Sequence, residues 1–471
     1  MSADLCFLSA HELGRRYRTR DLSPVEVADA HLRRIEALNA RLNAFVTVTA
    51  DLALEQARAA ERQLVAGDSG NPLLGVPYSL KDLYATAGIR TTAGSKILSD
   101  WVPDFDSASY EQLRAAGAVL LGKTNTHEYA AGGTTNNPWY GQTYNPWHPE
   151  RIPGGSSGGA GSAVAAGLGP IGMGSDTAGS IRLPASFCGV VGLKPTYGRA
   201  SAYGVTPLAW SLDHVGPLTR TVTDAALTLA ALAGHDPRDP SSALAETDDY
   251  LSDLERGVRG LRIGVPNHYF FDLLDPEYER SVRSAIAQLE QLGAELHDVE
   301  VPGVDEGHAA ADVLIFAEAS EYHRNNFQKW PASFGADLQD RILVGGLLGA
   351  VDYARAQRVR SRLREYVSRL FDPIDVLVTP TTTRGAPPLN VGRTVMVGDR
   401  EVPLRTALTK YSRFFNVTGQ PAISIPCGID GDGLPIGLQL VGRPFGEATI
   451  LRAARALEPI INWAAHQPPL D

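Results

Sequence analysis

Pro153-Gly-Gly-Ser-Ser-Gly-Gly159, Gly174-Ser-Asp-Thr-Ala-Gly-Ser-Ile-Arg-Leu-Pro184 and Phe187-Cys-Gly-Val-Val-Gly-Leu-Lys-Pro-Thr196 follow one another in a glycine- and serine-rich stretch. Flexible linkers share that composition. Here, however, the glycines are interleaved with apolar, strand-like pieces and with a small-residue helix over Ala160 to Gly167. Asp176, Arg182 and Lys194 stand at close intervals among neighbours of buried type. Glycine lets a backbone curl and approach closely, so the stretch reads as chain packed tightly around a site.

The flanking sequence places this stretch in an α/β protein. From Leu74 on, short apolar runs such as Gly75-Val-Pro-Tyr-Ser-Leu80 and Ala118-Val-Leu-Leu121 alternate with glycine-rich loops and helical patterns. Further strands are predicted at Leu261–Pro266, Ala294–Val301, Asp375–Thr379, Ala422–Pro426 and Ile436–Val441, with a helix over Tyr278–Leu292. Before Leu74 the chain is helical. Ser9-Ala-His-Glu12 and Ser23-Pro-Val-Glu26 have the capping-box form, and Val25, Ala28, Leu32, Ile35 and Leu38 recur at helical spacing. A further alanine-rich helix is predicted over residues 51–66. The polar, turn-rich segment from Pro237 to Gly260 is a connection.

Composition narrows the function classes. The 471 residues are 44% apolar and 20% charged, ordinary for a globular protein. The formal net charge of −10 repels phosphate backbones and anionic lipid, and no run of five like charges forms a basic arm. Cys6, Cys188 and Cys427 are too far apart for a ligand cluster or a disulfide framework, which fits a reducing compartment. The first residues, Met-Ser-Ala-Asp-Leu-Cys-Phe-Leu-Ser, lack a basic region and a long apolar core, and no run of about 18 apolar residues exists to span a bilayer. The expected location is the cytoplasm.

Three motif matches lack the context their chemistry needs. Gly117-Ala-Val-Leu-Leu-Gly122-Lys123-Thr124 has Walker A spacing, but a strand-like Ala-Val-Leu-Leu stands where a phosphate loop needs flexible polar residues. Gly154 to Gly159 contains G-x-S-x-G, yet the proline-rich Asn145–Pro153 cannot be the strand that enters a nucleophile elbow. The eleven histidines are scattered, and His127 beside Glu128 suggests no metal.

Taken together, Val76-Pro-Tyr-Ser-Leu-Lys81-Asp82, Gly-Gly-Ser156-Ser-Gly-Gly and Gly179-Ser180-Ile-Arg182-Leu-Pro resemble the amidase signature enzymes. The resemblance runs closely from Leu74 to Ser211 and more loosely through Asp375-Val-Leu-Val-Thr-Pro-Thr and Asn416–Gly428. It implies a three-layer α/β/α fold with a large central mixed β-sheet. It also implies that residues 1–471 form a single domain: an N-terminal helical layer (1–70), a catalytic core (74–211), and the remaining sheet and pocket loops (240–471). By family position Lys81 is the base, Ser156 the relay and Ser180 the nucleophile. The N–H groups of Thr177, Ala178, Gly179 and Ser180 form the oxyanion hole, and Ser157, Asp176 and Arg182 support the loop. A cis peptide is implied between Gly155 and Ser156. Ala131 and Gly132 are expected to border the acyl pocket with their backbone.

The chemistry stands beside the resemblance. A serine needs a base, no Ser-His-Asp arrangement is evident, and a lysine serves only when burial keeps it neutral. On composition alone Lys123 and Lys194 are equally eligible; family position selects Lys81. The expected activity is hydrolysis of a carboxylic amide through an acyl-enzyme, with no metal or cofactor. The expected partner is a small-molecule amide, with no nucleic acid, no membrane and a possible homodimer. The alternative is the glutamine-hydrolysing A subunit of the tRNA-dependent amidotransferase. Against it, the stretch Ala311–Ser320 lacks the tyrosine that the family's amidotransferase members carry before Glu-Ala-Ser. A carbamate or ester hydrolase is a further alternative.

Overall fold

The computed structural model describes residues 5–67 and 70–470; Met1–Asp4, part of the N-terminal segment read above, lie outside the described residues. An 11-stranded mixed sheet forms the centre. In chain order its strands are β1 (Phe45–Val48), β2 (Pro77–Lys81), β3 (Val119–Thr124), β4 (Ile171–Asp176), β5 (Val191–Lys194), β6 (His214–Thr219), β7 (Arg262–Pro266), β8 (Glu295–Val299), β9 (Val376–Pro380), β10 (Ala422–Ile429) and β11 (Pro435–Gly442). Their spatial order is β1-β3-β2-β4-β6-β5-β10-β11-β9-β7-β8. β2 pairs parallel with both β3 and β4, and β4 pairs antiparallel with β6. Lys81 and Asp176, nearly a hundred positions apart in sequence, therefore end adjacent central strands.

Helices cover both faces, and the strands show it. In β3, Val119 and Leu121 pack with Ala28, Ile35, Ala53 and Ala57 of helices Pro24–Leu42 and Ala50–Val65, while Leu120 joins the large core on the other face. A strand buried on both sides has no polar alternation, which is why these runs read as continuously apolar. The serine half of each capping signal forms, while the Glu12 carboxylate pairs with Arg15 and Arg16. Ser9 accepts from the Glu12 N–H at 3.1 Å, and Ser23 from Val25 at 3.1 Å.

Val119–Thr124 is a buried strand, so the Gly117–Thr124 segment cradles nothing. The small-residue helix runs over Gly158–Ala165. Its close approach to the sheet depends on glycines of β4: a Cβ at Gly174 would sit 2.9 Å from Ser157 Oγ. No helix among the described residues is long and apolar enough to cross a membrane.

Candidate active site

Strand alternation sends Leu80 into the large core and Lys81 to the opposite face, where the helix Gly158–Ala165 begins. Lys81 is fully buried. Its Nζ donates to Ser156 Oγ at 2.6 Å, Ser157 Oγ at 2.9 Å and Ser175 Oγ at 2.9 Å. All these partners are hydroxyls, so none compensates a positive charge by direct contact. Burial lowers the lysine pKa from 10.5 to about 7, opposed by the more distant carboxylates of Asp213 and Asp176. A lysine in this state gives and takes a proton near neutrality. The Gly155–Ser156 peptide is cis. The Ser156 carbonyl accepts from His127 N–H at 3.1 Å and Thr126 Oγ1 at 3.0 Å, which holds the turn in place.

The loop after β4 carries Ser180 past this cluster, and the Ser157 N–H donates to the Ser180 carbonyl at 3.3 Å. Asp176 organises the loop. Its carboxylate accepts from the N–H of Gly179 at 2.7 Å and of Ile181 at 3.1 Å, and from Arg182 Nε at 3.0 Å and Nη2 at 2.9 Å. Both residues are fully buried. Burial alone would raise the Asp176 pKa, but the Arg182 guanidinium beside it outweighs that effect and keeps the carboxyl ionised. Arg182 also reaches Gln439 Oε1 at 2.7 Å and Asn416 Oδ1 at 2.6 Å, so the C-terminal part of the chain braces the loop.

The expected oxyanion hole is corrected in one member. The Gly179 N–H already donates to Asp176, so it is not available to an oxyanion; Thr177, Ala178 and Ser180 keep N–H groups without such a bond among the described residues. Gly179 instead supplies shape. Its φ is +129°, and a Cβ there would lie 2.4 Å from Ser412 Oγ.

The other buried lysines are engaged elsewhere. Lys123 Nζ donates to the Tyr84 carbonyl and to Thr91 Oγ1, both at 2.6 Å, and lies 3.5 Å from Asp82. Lys194 Nζ donates to the Gln420 carbonyl at 2.5 Å. Asp82 and Asp176 thus pair with Lys123 and Arg182, not with Lys81.

Ser180 opens onto a cavity of about 150 Å³ that also has Thr177 and Ala178 in its wall. Gly132 borders it, and a Cβ at Gly132 would strike the His127 ring at 2.3 Å. Ala131 is buried behind this wall and is not part of it. Ile315, from the stretch that lacks a tyrosine, lines the cavity too. The outer wall is charged, with Arg341, Arg405 and Arg413 beside Asp337. Arg405 and Arg413 both pair with Asp312. Arg341 has no carboxylate within 4.0 Å among the described residues, and burial disfavours its charge. Arg341 is half-buried, and the nearby Asp337 carboxylate supports its charge from beyond ion-pair distance, so its guanidinium donors are open to a carboxylate.

Sequence reading missed Ser175, Asn416, Asp213 and Arg341. Ser175 sits on β4 directly before Asp176, so strand position relative to that residue could have found it. Arg341 carries no local signal, because the helix Ala336–Gly346 reaches the site only through tertiary packing.

The family model described as Amidase matches residues 26–451. The chain is 43% identical to the A subunit of the glutamyl-tRNA(Gln) amidotransferase of Moorella thermoacetica, over 99% of both chains. Among solved structures, one described as an unexpected vestigial protein complex that reveals the origins of an s-triazine catabolic enzyme superposes with a TM-score of 0.92, at 37% identity, covering 96% of this chain and 98% of that one. The A subunit of the glutamyl-tRNA(Gln) amidotransferase of Thermotoga maritima superposes with a TM-score of 0.79, at 32% identity, covering 96% of this chain and 95% of that one. These relatives back the amidotransferase alternative better than a free-standing amidase.

They also correct the expected partners, a small-molecule amide alone with no nucleic acid, because relatives alike over their full length belong to a glutamyl-tRNA(Gln) amidotransferase. A net charge averages the whole surface, so −10 by itself did not rule such a partner out. With the signature residues assembled in one buried cluster and nearly the whole chain matched, the protein belongs to the Amidase family, the amidase signature enzymes.

Proposed function

We propose that the protein hydrolyses the side-chain amide of glutamine, or of a similarly small amide bearing a carboxylate, as the A subunit of an amidotransferase in the cytoplasm. The observation that carries the chemistry is Lys81, buried and bonded through Nζ to Ser156 at 2.6 Å, beside the cavity that Ser180 lines. Ser180 Oγ attacks the amide carbon as its proton passes to Ser156, and Ser156 passes its own to neutral Lys81. The N–H groups of Thr177, Ala178 and Ser180 receive the oxyanion. When the C–N bond breaks, the proton returns through Ser156 to the nitrogen, which leaves as ammonia for a partner protein to use. Water then attacks the ester, giving its proton along the same path, and Ser180 recovers a proton as the acid departs. Arg341, which has no carboxylate within 4.0 Å among the described residues and only the more distant Asp337 to support its charge, favours a carboxylate on the substrate.

A second reading, a hydrolase of another small carboxylated amide or carbamate, is favoured by Ile315 in the cavity wall and by the 0.92 TM-score to the s-triazine-related structure. A panel of glutamine, aliphatic amides, anilides and carbamates, assayed for ammonia or amine release, separates the two. Glutamate and ammonia in equal amounts from glutamine is the expected result. Turnover of a carbamate or anilide with none of glutamine would replace the first reading by the second.

A further inference from the structure

We infer that Asp213 is a positioning residue for acyl transfer, fixing the N-terminal end of the oxyanion loop against the cavity wall. Its carboxylate is shared among three donors on two segments. Oδ1 accepts from Thr177 Oγ1 at 2.5 Å, and Oδ2 from the N–H groups of Leu208 at 2.9 Å and Ala209 at 3.1 Å. Thr177 opens the loop that ends at Ser180, and Leu208 lines the same cavity as Ser180. The segment 208–213 is held from its other side by Glu318, which accepts from the Ser211 N–H at 3.0 Å and from Ser211 Oγ at 2.6 Å. Glu318 lies on the helix Val304–Lys329, which brings Ile315 to the cavity.

The loop is therefore bracketed by two carboxylates. Asp176 ties down its C-terminal half through Gly179, Ile181 and Arg182. The Thr177 N–H has no such bond; its peptide is held on one side by Asn416 Nδ2, which donates to the Asp176 carbonyl at 2.8 Å, and on the other by the Thr177 side chain on Asp213. An oxyanion hole depends on donors preset to within tenths of an ångström, so loosening one of the two ties on the first donor costs rate more than binding.

The inference rests on Ser180 as the nucleophile, and the test keeps the two apart. p-Nitrophenyl acetate serves as the acyl donor, whatever the natural amide, and phenylboronic acid as the tetrahedral mimic. Asp213→Ala and Thr177→Val are expected to lower kcat by about 10- to 100-fold with KM within about threefold, and to weaken phenylboronic acid by a similar factor. Asp213→Asn is expected to recover most of the loss, because its amide oxygen still accepts from both N–H groups and its NH₂ donates to Thr177 Oγ1. Should Asp213→Ala fail to fold, Thr177→Val against Thr177→Ser carries the comparison, with serine recovering the rate that valine loses. An inactive Ser180→Ala beside a Thr177→Val within about threefold of wild type in kcat overturns this inference alone. An active Ser180→Ala overturns the nucleophile and the inference together.

Discussion

The floor of the active site and its outer wall are built on opposite plans. The floor consists of β2, the turn at Ser156 and the loop from Asp176 to Arg182, which is largely buried, rich in small residues and densely hydrogen-bonded. The wall comes from the helix Val304–Lys329, which presents Ile315, and from the helix Ala336–Gly346 and the segment from Leu404 to Arg413, which present Asp337, Arg341, Arg405 and Arg413. The proton transfer proposed for Lys81 needs a dry, preset environment, because burial is what lowers the lysine pKa to about 7. Recognition of a substrate needs only a few charges aimed at its far end, and these tolerate water. The proposed mechanism thus assigns chemistry and specificity to separate parts of the molecule, and variants should separate them.

The largest effect is expected at the floor. Ser180→Ala should lower kcat by at least about 10⁴-fold while leaving the thermal midpoint within about 3 °C of wild type. Near-normal turnover by the purified variant would break the contrast outright.

Next comes Lys81. The wild-type kcat/KM should rise with pH through about 7, as the buried lysine loses its proton. Stability should move in the same sense. Between about 7 and 10.5 the unfolded chain holds the lysine proton that the folded chain has released, so this contribution grows with pH; Lys81→Met should make the slope shallower, leaving the same-signed contributions of the buried Lys123 and Lys194. Lys81→Arg should lose about 10³-fold or more in kcat/KM despite its similar length, because a guanidinium keeps its proton in this range. Retention of more than about a tenth of wild-type activity, a loss under about 1.4 kcal/mol of transition-state stabilisation, would make Lys81 a structural cation instead.

The smallest effect belongs to the wall. Arg341→Gln should raise KM for a carboxylate-bearing amide by about 10- to 100-fold with kcat nearly unchanged, and should barely affect an uncharged amide of similar size. A loss confined to kcat would place Arg341 with the floor.

Local sequence carried most of the floor. Each of its pieces is a short contiguous segment: the strand ending in Lys81, the Gly-Gly-Ser-Ser-Gly-Gly turn, and the Asp176–Arg182 loop whose carboxylate bonds its own following amides. Small residues and glycines at fixed intervals record how closely such backbone must pack, so composition alone exposed the place. The two-sided burial of the sheet was equally legible in β3 and β11, as largely apolar runs. Tertiary structure decided what contiguous sequence cannot encode. Lys81, Lys123 and Lys194 look alike in the chain, and only the strand order shows that the first meets serine hydroxyls, the second Asp82 and the third a carbonyl of residue 420. That the Gly179 N–H is consumed by Asp176, that Asp213 reaches Thr177 from 36 residues away, and that Arg341 shares a cavity with Ser180 likewise depend on side-chain directions set by packing. Periodicity records which face of an element is buried; it holds no information about which distant group that face will meet.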